Sequence, residues 1–385
     1  MLRTLFRGNV GIQAAISVIG TSANTLWMLF IPYYLNSFDL EANIGFIYSF
    51  AALFGALGYF IGGRFGDAYG RRKAIIIGDL ICCLSPLLLL SKNLYLAIMG
   101  LPVVAFGLSF TEPNKSMLLV ESAPQRLRGT LLMLATRVMP SIPPIILAPL
   151  GAYFYEAGLY SLSLTIGFIG FLLCVLLATL LRETLVFKKP ASSKVKREII
   201  LEPSILLLII VFTIPALSSK AIDWYVPLYL KERGLTVEFY GYMFAASSAA
   251  ATIGSLISGI AVDFLNPYRV TALGLSFIAI SLLLFSLPQP PFLYITLYSL
   301  MLFTRMVFVA SPPVIIAERY SIEKRSTYMG LLGIGVMIAG VIGPSITSLA
   351  LLTKYITPFL IFSMLNMIAI LIIGIIKKHR GTSKD

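Results

Sequence analysis

Charge is scarce in this 385-residue chain. Only 12% of its residues are Asp, Glu, Lys or Arg, whereas 58% are hydrophobic and the mean hydropathy is +0.90. Soluble domains carry about twice as much charge, because charged side chains cover the surface that faces water. The deficit excludes an ordinary soluble domain. It predicts instead that lipid surrounds much of the chain, so that every backbone polar group must be satisfied internally.

Histidine and cysteine are also rare. The one histidine, His379, lies in the basic C-terminal tail, which excludes a histidine-based metal site or catalytic triad. Cys82, Cys83 and Cys174 lie inside apolar stretches without metal-ligand spacing, so we interpret them as small hydrophobic residues. No P-loop sequence is present, so the chain is not expected to hydrolyse ATP. We predict no catalytic residues, no metal ligands and no cofactor.

Long apolar runs, by contrast, are abundant. Twelve of them have roughly the 20-residue length of a membrane-spanning helix rather than the alternation of a barrel strand. The first run is too long for a cleaved signal peptide and is expected to remain as an anchor. The sequence therefore predicts an all-α membrane protein with 12 transmembrane helices. The runs cover residues 10–35, 43–63, 74–91, 94–120, 129–154, 159–181, 203–230, 239–262, 270–288, 292–317, 328–352 and 355–376.

Basic residues mark one side of the predicted membrane protein. Twenty-two of the 30 Lys and Arg residues fall in the two termini and the loops on one side, against four in the loops on the other. Because cytoplasmic loops are enriched in Lys and Arg, both termini are predicted to be cytoplasmic, with the protein in the plasma membrane. The net charge of +13 is thus interpreted as membrane topology, and no nucleic-acid partner is expected.

The two halves of the chain resemble each other. "GGRFGDAYGRR" after the second run has a counterpart, "SGIAVDFLNPYR", after the eighth, so that Gly63 corresponds to Gly259 and Asp67 to Asp263, 196 residues later. "ESAPQRLR" after the fourth run matches "ERYSIEKR" after the tenth at an offset of 197. A nearly constant offset predicts two pseudo-symmetric six-helix bundles. The predicted domains are residues 1–185 and 203–385, joined by a cytoplasmic linker at 186–202.

These repeated sequences carry a family resemblance. The pattern G-x-x-x-D-x-x-G-R-R from Gly63 to Arg72, the E-x6-R patterns after runs 4 and 10, and "RETL" after run 6 are similar to the signatures of the major facilitator superfamily. The resemblance spans the whole chain, although Asn266 stands where the first copy has Gly70, and no subfamily is matched. It implies a secondary active transporter whose two halves rock about a central binding site.

The resemblance also implies a gate at the cytoplasmic face. Asp67 would face Arg71 and the positive N-terminal end of the eleventh helix, near Thr327, while the protein is open to the outside. An ion pair within each E-x6-R motif would flank this contact, and the contacts would break in the inward-open state. The implied gate residues are Gly63, Asp67, Gly70, Arg71, Arg72, Glu121, Arg128, Asp263, Glu318 and Arg325.

Charged side chains inside the apolar runs are candidates for the transport site, because charge inside a membrane is costly. Asp223 and Arg305 could face each other across the cavity of the second half. Glu112 and Arg137 are predicted to lie at matching depths and to pair, which leaves open a purely structural role for them. The candidates for substrate binding or proton coupling are Asn24, Glu112, Lys115, Arg137, Lys220, Asp223 and Arg305.

Two further groups of side chains receive a structural interpretation. Asp79 follows the basic cluster by only a few residues, so we place it near the cytoplasmic face as part of the gate electrostatics. Tyrosines near the outer ends of the first and seventh runs are interpreted as interfacial anchors, because tyrosine is enriched where lipid meets water. They are Tyr33, Tyr34, Tyr225 and Tyr229.

The leading functional interpretation is a proton-driven secondary transporter of a small solute, acting as a monomer. Glu112 and Asp223 are the candidate proton carriers, and the buried cations could hold an anion. Symport of an organic anion with a proton and export of an amphipathic compound against protons both remain open. The alternatives of another class are a membrane-embedded enzyme and a non-transporting sensor on a transporter fold.

Overall fold

The computed structural model describes residues 8–124, 131–132, 134–184, 203–309, 311–319 and 322–381. Within these ranges the chain is almost entirely helical and contains no strand. Such a composition is expected where lipid is the solvent, because a helix satisfies its backbone hydrogen bonds within one segment.

The described residues of the first half form six helical segments, which we number α1 to α6. The first has a 3₁₀ turn at Met28–Phe30. The fifth consists of two pieces that meet at an angle of 45°. The first of these pieces begins with a π-helical stretch at Leu134–Val138. The segments are α1 (Gly8–Asn36), α2 (Ile44–Tyr69), α3 (Arg71–Leu90), α4 (Leu94–Ser122), α5 (Leu134–Ser141 and Pro143–Glu156) and α6 (Tyr160–Thr179).

The second half contains six more, α7 to α12. A further helical stretch, Ser311–Arg319, follows α10. The segments are α7 (Pro203–Glu232), α8 (Val237–Leu265), α9 (Pro267–Phe285), α10 (Pro291–Phe308), α11 (Ile322–Leu351) and α12 (Thr357–Gly381).

These helices are long and apolar enough to cross a bilayer. Ten pass on length and composition within the described ranges, and the bent α5 makes an eleventh. Helix α8 has 29 residues, and at 1.5 Å per residue it exceeds the roughly 30 Å of hydrocarbon that a span must cover. The protein is therefore an integral membrane protein, and the prediction of an all-α fold with 12 transmembrane helices is confirmed.

The turns after α2 and α8 share one backbone device. Gly70 ends α2 with φ +107°, and Asn266 ends α8 with φ +68°. Few residues other than glycine tolerate positive φ, and asparagine is among the most tolerant of them. The Asn266 side chain also accepts a hydrogen bond from the Tyr268 backbone N–H at 3.0 Å, which caps α9. The departure from the Gly70 pattern therefore preserves the turn.

Close packing of α2 against α4 explains the glycine that precedes the motif. Asn114 donates a hydrogen bond from Nδ2 to the Gly62 carbonyl at 2.8 Å, and a side chain at Gly62 would collide with the Phe110 backbone. At Gly63, by contrast, an added Cβ would meet only Pro113 at 4.0 Å. Helix contact thus requires glycine at position 62 rather than at position 63.

The two membrane faces of the molecule can be told apart by their turns. We call the side with the Gly70 and Asn266 turns the basic face, and the side with the turn between α1 and α2 the Glu41 face. The tyrosines predicted as interfacial anchors lie near the Glu41 face, but Tyr33, Tyr225 and Tyr229 are buried, so that interpretation is wrong for them. Tyr229 instead packs on Phe359, with ring centroids 4.6 Å apart.

Candidate functional site

A cavity of about 270 Å³ lies between the two halves. Helices α1 and α2 form one wall, and α7, α8 and α10 form the other. Binding sites between the repeats are a recurring feature of duplicated transport folds. The cavity is lined by Met28, Leu29, Pro32 and Tyr48 from the first half and by Asp223, Trp224, Tyr240, Phe244, Tyr298, Leu302 and Arg305 from the second. We call it the central cavity.

Asp223 and Arg305 form a two-pronged ion pair in the central cavity. Arg305 Nη1 donates to Asp223 Oδ1 at 3.1 Å, and Nη2 donates to Oδ2 at 3.2 Å. The prediction that these residues face each other is confirmed. The pair is not sealed, because 39% of the Asp223 side chain and 23% of the Arg305 side chain are exposed. A ligand carboxylate could therefore replace Asp223 on the guanidinium.

Two other predicted cations extend the positive charge beyond this pair. Lys220, one turn before Asp223 on α7, is within electrostatic range of Asp223, Arg305 and Arg137. The side chains of Lys220 and Arg137 are exposed. Lys220 and Arg305 lie near the one carboxylate of Asp223, and Arg137 lies within range of Lys220. This excess of positive charge favours an anionic ligand.

The remaining wall of the central cavity is aromatic. Tyr48 of α2 stacks on Trp224 of α7, with ring centroids 5.8 Å apart and planes 20° from parallel. Tyr240, Phe244 and Tyr298 complete the lining. Aromatic faces bind apolar and aromatic groups through large contact areas. The cavity thus joins an aromatic end to a charged end.

A second cavity, of about 150 Å³, lies inside the first half and collects the other predicted residues. Asn24, Glu112 and Lys115 line it, together with Asp79 and Gln13. Lys115 Nζ contacts Asp79 Oδ1 at 2.8 Å. We call this the N-terminal cavity.

The prediction that Asp79 lies near the basic face as part of the gate is wrong. Its side chain is 1% exposed and bound to Lys115. The start of α3 is eight residues away, which places Asp79 about 12 Å into the bundle. The expected Glu112–Arg137 pair is also absent from the described ion pairs, and both side chains are exposed. Two residues at the same depth in the membrane can still lie on helix faces that point away from each other.

The gate motif has a more buried ion pair than the one predicted. Arg71 Nη2 lies 3.0 Å from Glu121 Oε1 but 3.9 Å from Asp67 Oδ1. The Arg71 side chain is 8% exposed, whereas Asp67 is 75% exposed. Glu121 also accepts a hydrogen bond from Thr184 Oγ1 at 2.6 Å. Glu121 is therefore the principal partner of Arg71 in this conformation.

Glu183 completes this cluster, and sequence reasoning assigned it no role. Its two carboxylate oxygens accept hydrogen bonds from the Arg71 and Arg72 backbone N–H groups, each at 3.1 Å. These N–H groups begin α3, where the helix dipole favours a negative charge. The available signal was "RETL", whose glutamate follows the last helix of the first half.

The other half of the predicted gate is only partly described. Arg128 lies outside the described residues, as do the side chains of Asp263, Arg325 and Thr327. Glu318 is described and is exposed. The proposed contact between Asp67 and the start of α11 thus stays a prediction.

Replacing Glu121 with Gln should destabilise the protein more than replacing Asp67 with Asn. Glu121→Gln leaves Arg71 buried without its closest charge partner, which costs about 1–2 kcal/mol for a pair with one buried and one partly exposed side chain. Asp67 is mostly in solvent, so Asp67→Asn should change the unfolding midpoint by less than half as much. Thermal unfolding of both variants in one detergent tests the ranking. Equal midpoints would contradict it.

Direct contacts between the halves are found toward the Glu41 face. Ser49 of α2 and Ser345 of α11 are hydrogen bonded at 2.7 Å, and Tyr355 donates from its hydroxyl to Glu41 Oε1 at 2.7 Å. Glu156 accepts a hydrogen bond from the Glu238 backbone N–H at the start of α8, at 3.0 Å. These bonds hold the two halves together between the central cavity and the Glu41 face.

Replacing Tyr355 with Phe should increase opening of the Glu41 face. The hydrogen bond to Glu41 raises the pKa of Tyr355 to about 12. Because the pKa is raised, the hydrogen bond stabilises the closed Glu41 face fully below about pH 10, the ordinary pKa of tyrosine. This stabilisation is lost as the pH rises through about 12. Loss of a bond worth about 1 kcal/mol should increase the open fraction about fivefold at any working pH.

Thiol labelling measures that opening. Leu29→Cys, in a protein whose native cysteines are replaced by alanine, places a reactive group on the central cavity. A membrane-impermeant reagent applied from the Glu41 face should label it faster in Tyr355→Phe. Tyr153→Phe is the matched control, because Tyr153 is exposed near the same face. An unchanged rate in Tyr355→Phe would show that the bond does not hold this face closed.

Helices that cross the membrane in two sets of six around a shared cavity define a polytopic membrane protein of the transporter type. The sequence profile of the Major Facilitator Superfamily matches residues 13–314 and, a second time, residues 208–384. The chain therefore belongs to the Major Facilitator Superfamily. The two matches begin 195 residues apart, close to the offset of the sequence repeat. No protein of curated function matches the sequence.

Solved structures of transporters share the fold. A D-xylose-proton symporter superimposes with a TM-score of 0.76 at 13% identity, covering 97% of each chain. A point mutant of the nucleoside transporter NupG gives 0.73 at 13% identity, covering 95% of this chain and 99% of its own. A bacterial homolog of the human lysosomal transporter Spinster, inward-facing and occupied, gives 0.73 at 14%, covering 95% and 96%. At these identities the likeness establishes the fold.

Proposed function

We propose that this protein is a secondary active transporter that moves an amphipathic organic anion through the central cavity, together with a proton. The main support for this proposal is the composition of the central cavity, in which an aromatic wall adjoins the Asp223–Arg305 pair. An apolar or aromatic group would lie against Tyr48 and Trp224. Its anionic group would bind Arg305, with Lys220 and Arg137 adding to the positive field.

Transport proceeds by rocking of two halves, residues 1–185 and 203–385, about the central cavity, with residues 186–202 as the linker. The bonds at the Glu41 face must break for one opening. The predicted contact between Asp67 and the start of α11 would hold the basic face closed in the alternate state. Both sets of contacts must be worth only a few kcal/mol, because the two states must exchange.

The orientation follows from the distribution of basic residues. We place both termini and the basic face in the cytoplasm of a plasma-membrane protein that acts as a monomer. The conformation with bonded halves at the Glu41 face then corresponds to the inward-facing state. A cytoplasmic reporter fused to either end should be active, and one fused after Lys92 should not.

Proton coupling requires a carboxylate that binds and releases a proton as its ionic partner changes during the transport cycle. Asp223 is the first candidate, because anion binding to Arg305 frees its carboxylate to take a proton. Glu112 is the second. The fold likeness to a proton symporter is compatible with this coupling. Co-transport of one proton with a monovalent anion makes the translocated complex neutral.

Export of an amphipathic cation in exchange for protons is the second candidate function. The partial exposure of Asp223 favours it, since this carboxylate could bind a ligand cation in place of Arg305. The two functions predict opposite ligand charge at the same cavity, and one binding experiment separates them.

Tryptophan fluorescence provides that experiment. The chain has two tryptophans, and only Trp224 lines the central cavity. In a Trp27→Phe background, aromatic and aliphatic carboxylates and amines of graded size are screened for saturable change in Trp224 emission. Symport predicts binding by carboxylates that is lost in Arg305→Gln. Binding by amines that is lost in Asp223→Asn would favour the exporter, and no saturable ligand of either charge would overturn the proposed site.

A further inference from the structure

The N-terminal cavity has unsatisfied polar groups that neither the central cavity nor the gate uses. Gln13 is fully buried and lines this cavity, and neither of its amide atoms has a hydrogen-bond partner among the described residues. Within the described part of the chain, Asp79 Oδ2 and Asn24 Oδ1 are also buried without a hydrogen-bond partner. Leaving a buried polar atom unpaired costs about 1–3 kcal/mol. Three such groups on one small cavity indicate that it is built for an occupant.

The spacing of side chains on α1 shows that the cavity follows this helix. Gln13, Ser17 and Thr21 recur every four residues and so share one face, and Asn24 lies three residues further on. Asn9 Nδ2 donates to Ser122 Oγ at 3.0 Å and ties the start of α1 to the end of α4. Helices α1 and α4 are antiparallel, so each residue further along α1 lies level with one residue further back along α4. Starting from the Asn9–Ser122 bond, Lys115 lies level with residue 16 of α1 and Glu112 with residue 19. The α4 charges therefore lie opposite the polar stripe of α1.

The charge balance of the cavity selects a monovalent cation. Asp79 and Glu112 carry two negative charges, and Lys115 neutralises one through its 2.8 Å contact with Asp79 Oδ1. The residues of α1 and α5 that line the cavity carry no titratable group, and α6 contributes only Cys174. Arg137 of α5 lies between the lining residues Thr136 and Pro140 but is not part of the lining, and it interacts with Lys220. The thiols of Cys82 and Cys83, on α3 beside Asp79, are neutral. The net charge is then about −1, which suits one monovalent cation but leaves a divalent ion half uncompensated.

The donor chemistry agrees with this charge. The available ligands are oxygens, namely the Gln13 and Asn24 amide oxygens, Asp79 Oδ2 and the Glu112 carboxylate. Oxygen ligands suit hard cations, and carboxylates also suit a proton or hydronium ion. Glu112 is the exposed member of the set and Asp79 the buried one, so a cation would enter past Glu112.

We propose that the N-terminal cavity is a binding site for one small monovalent cation, either Na⁺ or hydronium, held between Gln13, Asn24, Asp79 and Glu112. Binding itself does not depend on the proposed transport function; only its use to drive transport rests on that function. The site is separate from the central cavity, so the cation and the substrate would occupy different cavities.

The test uses Trp27, which is on α1 one turn beyond Asn24, as the reporter in a Trp224→Phe protein in lipid nanodiscs. In the sodium arm, NaCl replaces choline chloride at constant ionic strength and alkaline pH. In the proton arm, pH is lowered without sodium. One arm should give a saturable change in Trp27 emission and a higher thermal unfolding midpoint. A response to Na⁺ identifies sodium, and a response only to pH identifies the proton.

Variants of the lining tie the response to this cavity. Glu112→Gln, at the exposed mouth, should weaken cation binding at least tenfold or lower the midpoint of the pH response by at least one unit. Gln13→Ala should weaken it as well. Asp223→Asn, in the central cavity, is the matched control and should respond as the parent protein does.

The outcomes distinguish this proposal from the proposed transport function. No saturable response in either arm, or an equal response in Glu112→Gln, would overturn the cation site whether or not the protein transports. Asp79→Asn leaves Lys115 unpaired and can fail to fold, so the double variant Asp79→Asn/Lys115→Met is measured instead. It should fold and lose the response, and a retained response would also overturn the site. Cation binding without transport would leave this proposal standing.

Discussion

Oxidation of a Ser49→Cys/Ser345→Cys protein should abolish transport, and a reductant should restore it. The two hydroxyl oxygens are 2.7 Å apart on α2 and α11, which belong to different halves. Sulfur atoms in place of these oxygens would start within about 1 Å of the disulfide S–S bond length of about 2.05 Å, so we expect the two thiols to form a disulfide on oxidation. The covalent bond would keep the Glu41 face closed, and rocking would stop.

The size of the effect follows from the kind of bond. Hydrogen bonds between the halves contribute about 1 kcal/mol each and break within a transport cycle, whereas a disulfide does not. We expect at least a tenfold loss of substrate flux in the oxidised protein. Each single cysteine variant is a control and should transport under both conditions. The native cysteines are buried and are replaced by alanine for this measurement. Normal flux through a fully cross-linked protein would contradict alternating access at this face.

Asp223→Asn should abolish transport driven by a pH gradient. The substitution removes the carboxylate that is proposed to take the proton, and it leaves the partly exposed Arg305 guanidinium without its ionic partner. A permanently neutral residue mimics the protonated state and uncouples substrate from the gradient. Net accumulation should fall more than about tenfold, while exchange of labelled for unlabelled substrate across the membrane should persist.

Glu112→Gln is the matched variant, because it neutralises the other candidate carboxylate without touching the central cavity. If Glu112→Gln loses gradient-driven accumulation and Asp223→Asn keeps it, the coupling proton belongs to the N-terminal cavity. If both variants still accumulate substrate in response to the gradient, neither carboxylate carries the coupling proton.

Much of the fold could be predicted because lipid imposes a simple rule on sequence. The predicted runs 94–120 and 203–230 correspond to helices Leu94–Ser122 and Pro203–Glu232. The run 43–63 stops earlier than the helix, which continues to Tyr69. Charged residues at the end of that helix lower its hydropathy but do not interrupt its backbone, so an apolar run marks the membrane core better than the helix end.

Partners of intramembrane charges were harder to predict. The facing of Asp223 and Arg305 was predicted correctly, because both lie on helices expected to line a central cavity. The partner of Lys115 was not, because Asp79 appeared to belong to the basic face. Sequence distance from a charged turn says little about burial when a helix rises 1.5 Å per residue and reaches the bundle centre within two turns.

Gln13 was missed for a related reason. A single amide in an apolar run carries no signal beyond its polarity, and the pattern with Ser17 and Thr21 becomes informative only once α4 is known to face it. Glu183 lies in "RETL", but the sequence does not reveal its role, because its contact with the start of α3 joins residues 112 positions apart. Such contacts depend on tertiary packing, which composition and periodicity do not specify.

Accumulation by purified protein in liposomes tests the central claim most directly. The protein is reconstituted in one orientation, and the outside of the liposomes is made more acidic than the inside. A ligand identified by Trp224 fluorescence is then added outside. We predict accumulation above the equilibrium concentration that collapses when a protonophore removes the gradient and is blocked by the Ser49→Cys/Ser345→Cys disulfide. Ligand movement that neither responds to the gradient nor stops on cross-linking would contradict a proton-coupled transporter that works through the central cavity.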